Sequence, residues 1–199
     1  MHTTTTTRTL AIAAALTLGL TLAGCSTSNT RSEAGSSSSS TPAASAHDDQ
    51  DVTFAQMMLP HHEQAVEMSD MLLAKGDGVD PDVAALAEQI KTEQSPEIEQ
   101  LTSWLRAWGA PTASKHSGTG YAMSGTMSDS DMTDLDQASA QDAGKLFLEQ
   151  MIQHHEGAVE MATAEVGEGG NAEAVALAKS IVSSQTEQIT RMQDMLAAT

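Results

Sequence analysis

The sequence predicts an all-α protein: a four-helix bundle made of two repeated αα-hairpins. Three observations carry that prediction. Apolar residues, mostly Ala, Leu and Met, recur at helical spacing from about 51 to 197. Aromatic residues make up only 3% of the chain, which leaves little of the material that strands favour. The third is a repetition: residues 54–68 return as residues 147–161, with nine of fifteen positions identical.

The elements follow in order. A first helix is expected over about 52–75, ending near Gly76. A second spans about 82–107, opened by Asp80-Pro81 and closed by Gly109. A third covers about 140–166 and ends at Gly167, and a fourth covers about 172–197. The repetition extends to the second helix of each half. Ala85-Leu86-Ala87, Ile90, Gln94, Ile98, Leu101 and Leu105 match Ala176-Leu177-Ala178, Ile181, Gln185, Ile189, Met192 and Leu196 at an offset of 91. The repeats are thus 51–108 and 140–197. One hairpin alone leaves an apolar face bare, so two should pack as a four-helix bundle. Pro96 predicts a kink in the second helix, and the matching position is Glu187. The connection over 109–139 is rich in Gly, Ser and Asp and holds His116, Tyr121, Met123, Met127 and Met132. It is long for a bundle loop.

The first 50 residues read differently. Arg8 precedes an apolar run from Leu10 to Ala23, too short to span a bilayer well. The segment 1–24 has the shape of a secretory signal peptide. Its end, Leu22-Ala23-Gly24-Cys25, resembles a bacterial lipobox, which implies cleavage before Cys25 and lipidation of its thiol. Residues 25–50 read as a Ser/Thr-rich tether between lipid and folded body. The expected location is the extracytoplasmic face of the bacterial cell envelope, with the membrane as a partner through Cys25. That cysteine is the only one in the chain. An intramolecular disulfide and a thiolate metal site are therefore impossible. With a formal net charge of −18, nucleic acid is a poor partner.

Within the repeated segment, Phe54, Met58, His61, Ala65, Met68 and Leu72 fall on one helical stripe. Phe147, Met151, His154, Ala158 and Met161 repeat it. His61 and His154 are expected mid-stripe, and His62 and His155 on its shoulder. Glu63, Glu67, Glu156 and Glu160 point to the opposite side. The spacing matches neither the Glu-x-x-His pairs of di-iron bundles nor the His-Glu-x-x-His of zinc proteases. No nucleophile, phosphate loop or other catalytic pattern is present, so no catalytic residue is assigned.

What remains is thioether sulfur beside imidazole nitrogen, a ligand set suited to Cu(I), or Ag(I) in its place. The candidates are Met58, His61, His62, Met68, Met151, His154, His155 and Met161. The His pairs alone would also serve Cu(II) or zinc, leaving the Met residues idle. Imidazole ligation predicts that affinity falls below about pH 6.5. A different class of reading also stands. Met is common core filler, and Gln94 and Gln185 could be hydrogen-bond partners of buried histidines. The chain would then be a structural or protein-interaction module.

The pattern Met-x-x-His-His-Glu-x-Ala-Val-Glu-Met, followed by the Ala-Leu-Ala…Ile…Gln helix, resembles the DUF305 family over about 51–197. Gly125-Thr-Met127-Ser128 fits the same pattern. The resemblance implies a ferritin-like helical bundle exported from the cytoplasm, with copper or silver binding and copper tolerance in some members. It points to the same eight Met and His residues, and more weakly to Met123, Met127 and Met132. Gln64 departs from the pattern where the second copy has Gly157, so the two halves are not expected to bind equally. A copper-handling protein is the implied partner.

Overall fold

The computed structural model describes residues 46–112 and 124–198. Five helices follow one another: α1 Asp49–Leu73, α2 Pro81–Ala107, α3 Asp129–Gln137, α4 Ala140–Glu168 and α5 Ala172–Ala197. A 3-10 turn at Gly76–Gly78 joins α1 to α2. No strand occurs among the described residues. Cys25, His116, Tyr121 and Met123 lie outside them, as do the signal-peptide segment and the tether up to residue 45.

Each helix begins where a short polar side chain can satisfy the free N–H groups of the first turn. Asp48 accepts from Gln50 and Asp51 and forms a capping box with Asp51. Asp80 caps α2 ahead of Pro81. Ser128, Ser139 and Asn171 cap α3, α4 and α5. Gly109, at φ +69°, lets the chain leave α2 through a left-handed turn.

Two features differ from the sequence expectation. Helix α1 starts at Asp49, inside the stretch read as tether, because the Asp48 box extends it by a turn. The connection over 109–139 contains a helix, α3, buried through Leu135. Lys75 Nζ ties the end of α3 down by donating to the carbonyls of Asp136 and Ala138 at 2.9 and 2.8 Å. Pro96, where a kink is expected, lies within continuous helix α2, as Pro60 lies within α1. The carbonyl that Pro96 leaves unpaired belongs to exposed Thr92, where water can reach it.

The four long helices bury two separate apolar groups. One gathers Ala65, Met68 and Leu72 of α1 with Leu86 and Ile90 of α2, Phe147 and Met151 of α4, and Met192 of α5. The other gathers Phe54, Met58 and Leu59 with Leu101 and Leu105, Ala158 and Met161, and Ala178 and Ile181. Early residues of α1 thus meet late residues of α2 and α4, so α1 runs antiparallel to both. Between the two groups lies a layer with almost no hydrocarbon in it.

At the far end of the second group, buried Asp51 joins the start of α1 to the α4–α5 turn. Its carboxylate accepts from the backbone N–H of Asp48 at 2.6 Å and of Asn171 at 2.9 Å. Glu165 is buried beside it, and burial, reinforced by Asp51 and Asp48, pushes its carboxyl up to about 8. A raised carboxyl binds more protons folded than unfolded between pH 4.5 and 8. Glu165 should therefore make the protein progressively less stable as pH rises through that window. Denaturant unfolding of Glu165→Gln should lack this decline, and an identical decline in the variant would overturn the assignment.

Candidate metal centre

The layer between the apolar groups is built from the two His pairs. His61, His62, His154 and His155 are all completely buried. His62 and His155, on the shoulder of the stripe, are covered by α2 and α5. The His61 and His154 rings meet with centroids 3.7 Å apart and planes tilted by 38°. The His62 ring lies 6.5 Å from that of His61, and the His155 ring 6.3 Å from that of His154. Ala65 and Ala158, one turn beyond His61 and His154, are small and fully buried. They leave room for α1 and α4 to approach closely enough for the rings to touch. Glu63, Glu67, Glu156 and Glu160 are exposed, as their helical phase required.

The outer pair is oriented by hydrogen bonds to the two other helices. His62 Nε2 lies 2.7 Å from Glu97 Oε2. A carboxylate only accepts, so Nε2 carries a proton, and in the neutral ring Nδ1 keeps its lone pair. His155 Nε2 lies 2.6 Å from Gln188 Oε1, and Gln188 Nε2 donates to Glu93 Oε2 at 2.7 Å. That second bond fixes the amide, so His155 also presents a bare Nδ1. Both Nδ1 atoms are buried and without a hydrogen-bond partner, as are both ring nitrogens of His61 and of His154. Gln94 and Gln185 do not supply the missing bonds. Both Gln94 side-chain atoms and Gln185 Oε1 are themselves unpartnered. The partners that do form, Glu97 and Gln188, stand three residues further along and correspond at the 91-residue offset. That register was the signal in the sequence that could have found them.

Burial and mutual repulsion favour the neutral form of His61, His154 and His155. Burial, with the His62 and His155 rings adding to it, holds His61 down at about 3. The Ser124 backbone opposes this shift from nearby, outside hydrogen-bonding geometry. His154 is held well below the ordinary histidine range, first by burial and then by the His61, His155 and His62 rings. Burial lowers His155 to about 4, with the Gln188 bond opposing it. His61, His154 and His155 in the folded protein accordingly take up protons well below the pH of about 6.5 expected from free imidazole.

The four thioethers bracket this layer. Met58 and Met161 lie in one apolar group, Met68 and Met151 in the other, and all four are buried. Met127 and Met132 are partly buried against the Met68–Met151 side. Among the described residues, no three His, Cys, Asp or Glu side chains are grouped so as to hold one ion. Imidazole and thioether together, or rotation of the rings, would have to complete a ligand set.

A short strap closes the outer side of the α1–α4 contact. Gln64 grips the backbone of Met127, accepting from its N–H at 2.8 Å and donating to its carbonyl at 2.9 Å. Ser124 Oγ donates to Glu160 Oε2 at 2.5 Å. Ser124 and Gly125 lie directly on Gly157, where any Cβ would run into the Ser124 carbonyl. The inequality between Gln64 and Gly157 is thus structural: one residue clasps the strap and the other makes way for it.

A family model described as "Domain of unknown function (DUF305)" matches residues 51–196. Among solved structures, a DUF305 protein from Streptomyces coelicolor, assigned as secreted, is 33% identical with a TM-score of 0.69. The match covers 75% of this chain and 93% of that one. A DUF305 fragment from Deinococcus radiodurans is 30% identical with a TM-score of 0.70, covering 77% and 99%. CopM in its Cu(I)-bound form is 30% identical with a TM-score of 0.61, covering 74% and 96%. CopM is also known in Cu(II)-bound and Ag-bound forms. The comparison with curated proteins gave no match.

Two outcomes follow from the site. Because the buried rings bind fewer protons folded than unfolded, metal-free stability should fall as pH drops from 6.5 toward about 3. His61→Phe plus His154→Phe should flatten that slope in urea unfolding; an unchanged slope would refute the neutral-ring account. Gly157→Ala should cost about 1–3 kcal/mol through overpacking against the strap, whereas Gly167→Ala, with open space around it, should not.

Proposed function

The chain belongs to the DUF305 family, and from that premise we propose that it is an extracytoplasmic, lipid-anchored protein that binds Cu(I). The carrying observation is the buried layer itself: six ring nitrogens on four buried histidines without hydrogen-bond partners. Leaving such groups unmade costs about 1–3 kcal/mol each, so a fold that concentrates them in one plane favours a ligand that takes nitrogen lone pairs. A soft cation does so, and the flanking thioethers suit Cu(I) or Ag(I) better than harder ions. CopM, similar to this chain in sequence and structure, has Cu(I)-, Cu(II)- and Ag-bound forms, which supports a metal ion as the partner.

In this reading His62 and His155 offer Nδ1, His61 and His154 offer either nitrogen, and Met58, Met68, Met151 and Met161 offer sulfur from above and below. Copper supplies only its affinity for these donors, and no substrate is transformed. The role is to buffer the ion or hand it to a copper-handling partner, and so to support copper tolerance. The strap and the apolar groups keep competing water from the layer. Lipidation at Cys25 would hold the bundle at the envelope surface, with residues 26–45 as a spacer. The secreted Streptomyces relative supports export.

Titration with Cu(I) against a competing chelator tests the reading. The parent protein should bind tightly, and the His61/His62/His154/His155 quadruple Ala variant should not. Met58→Leu plus Met151→Leu conserves volume and should weaken Cu(I) binding while leaving the fold intact by circular dichroism. Parent affinity no better than that of scattered surface carboxylates would sink the proposal.

A further inference from the structure

The two outer histidines occupy matching positions in the repeat, yet their partners differ in charge. Glu97 and Gln188 correspond at the 91-residue offset. Glu97 gives His62 a carboxylate at 2.7 Å, with 17% of its own side chain exposed. Gln188 gives His155 a neutral amide at 2.6 Å and is almost wholly buried. Glu93 stands one bond further out, behind Gln188. Its other oxygen is taken by Gln89 at 2.7 Å, and Gln89 in turn accepts from Arg191 at 2.8 Å. The charge on that side is therefore both more remote and closer to a cation. Among the described residues, a single carboxylate touches the layer through a ring.

We propose that Glu97 is the specificity-determining residue of the site: its carboxylate, acting through His62, selects a monovalent cation and anchors it on the His62 side. The inference rests on the metal-binding reading above. Bringing an ion into a layer walled by hydrocarbon costs desolvation that must be offset by charge close at hand. A carboxylate on the far nitrogen of an imidazole makes the near nitrogen a stronger donor and fixes its tautomer. One such contact neutralises a singly charged ion. A doubly charged ion would keep an uncompensated positive charge among Met, Leu and Ile. His155, backed by an amide, has its tautomer fixed without the added charge. Thioether softness and charge balance thus act together, the first on the kind of metal and the second on its oxidation state.

Glu97→Gln separates charge from orientation, because the amide carbonyl of that variant can still accept from His62 Nε2. In the metal-free protein, nitrogen NMR should show His62 as the Nε2–H tautomer in both the parent and Glu97→Gln. Ag(I) affinity, measured by competition, should fall ~10- to 100-fold in Glu97→Gln. Gln188→Glu, which installs the second carboxylate, should raise zinc affinity relative to Ag(I). Equal Ag(I) affinity in the parent and Glu97→Gln would overturn the proposal while leaving metal binding intact. So would a His62 of the opposite tautomer. A parent protein that binds no Ag(I) would overturn the metal reading itself, whatever tautomer His62 shows in the metal-free protein.

Discussion

Two imidazoles, held 3.7 Å apart in the middle of a protein interior, constrain every helix around them. Neither ring can be protonated without placing a charge against its neighbour in a medium that solvates it poorly. The rings therefore stay neutral, which is why burial and mutual repulsion act in the same direction on His61 and His154. Contact at that distance requires α1 and α4 to approach closely. The small residues Ala65 and Ala158 permit this on either side of the crossing. It also divides the core, because Leu, Ile and Phe cannot share a plane with so many ring nitrogens. The two apolar groups are the two halves that this layer leaves over.

The surroundings of that contact form an ordered series. On the outer side of the α1–α4 crossing lies the strap of Ser124–Met127, then His61 and His154, then His62 and His155. Beyond these come Glu97 and Gln188 on α2 and α5, and Glu93 in a groove of about 150 Å³ shared with Gln89, Ser184, Glu187, Gln188 and Arg191. Each member limits the next. The acceptor on the outer histidine dictates which nitrogen stays unpartnered, and the close crossing of α1 and α4 holds the inner pair in contact.

Much of this was legible in the sequence because helices write their burial at a period near 3.6 residues. The stripe through Met58, His61, Ala65 and Met68 put His61 inside, and the same arithmetic put Glu63 and Glu67 outside. Helix α3 escaped because nine residues with one fully buried side chain, Leu135, make too short a stripe to read. Its strongest mark is the Ser128–Asp131 capping box. The full burial of His62 and His155 on the shoulder of the stripe was not legible for a related reason. Phase along one helix says nothing of how far its neighbours wrap around it. Pairing Gln94 and Gln185 with the histidines rested on shared faces. The observed partners, Glu97 and Gln188, correspond at the same 91-residue offset, but which of the repeated positions meets the rings depends on the axial offset between antiparallel helices.

The strap has a consequence for how the two halves can diverge. A bundle of two like hairpins has no intrinsic front, since exchanging the halves returns the same object. The connection between them must nevertheless cross one face, and here it lies on Gly157 while Gln64 holds it. From that point the symmetry is broken for good: position 157 is closed to any side chain, and position 64 is held to one that bonds backbone in both directions. The covalent link thereby gives the molecule a polarity, with one face sealed by main chain and the other edged with carboxylates.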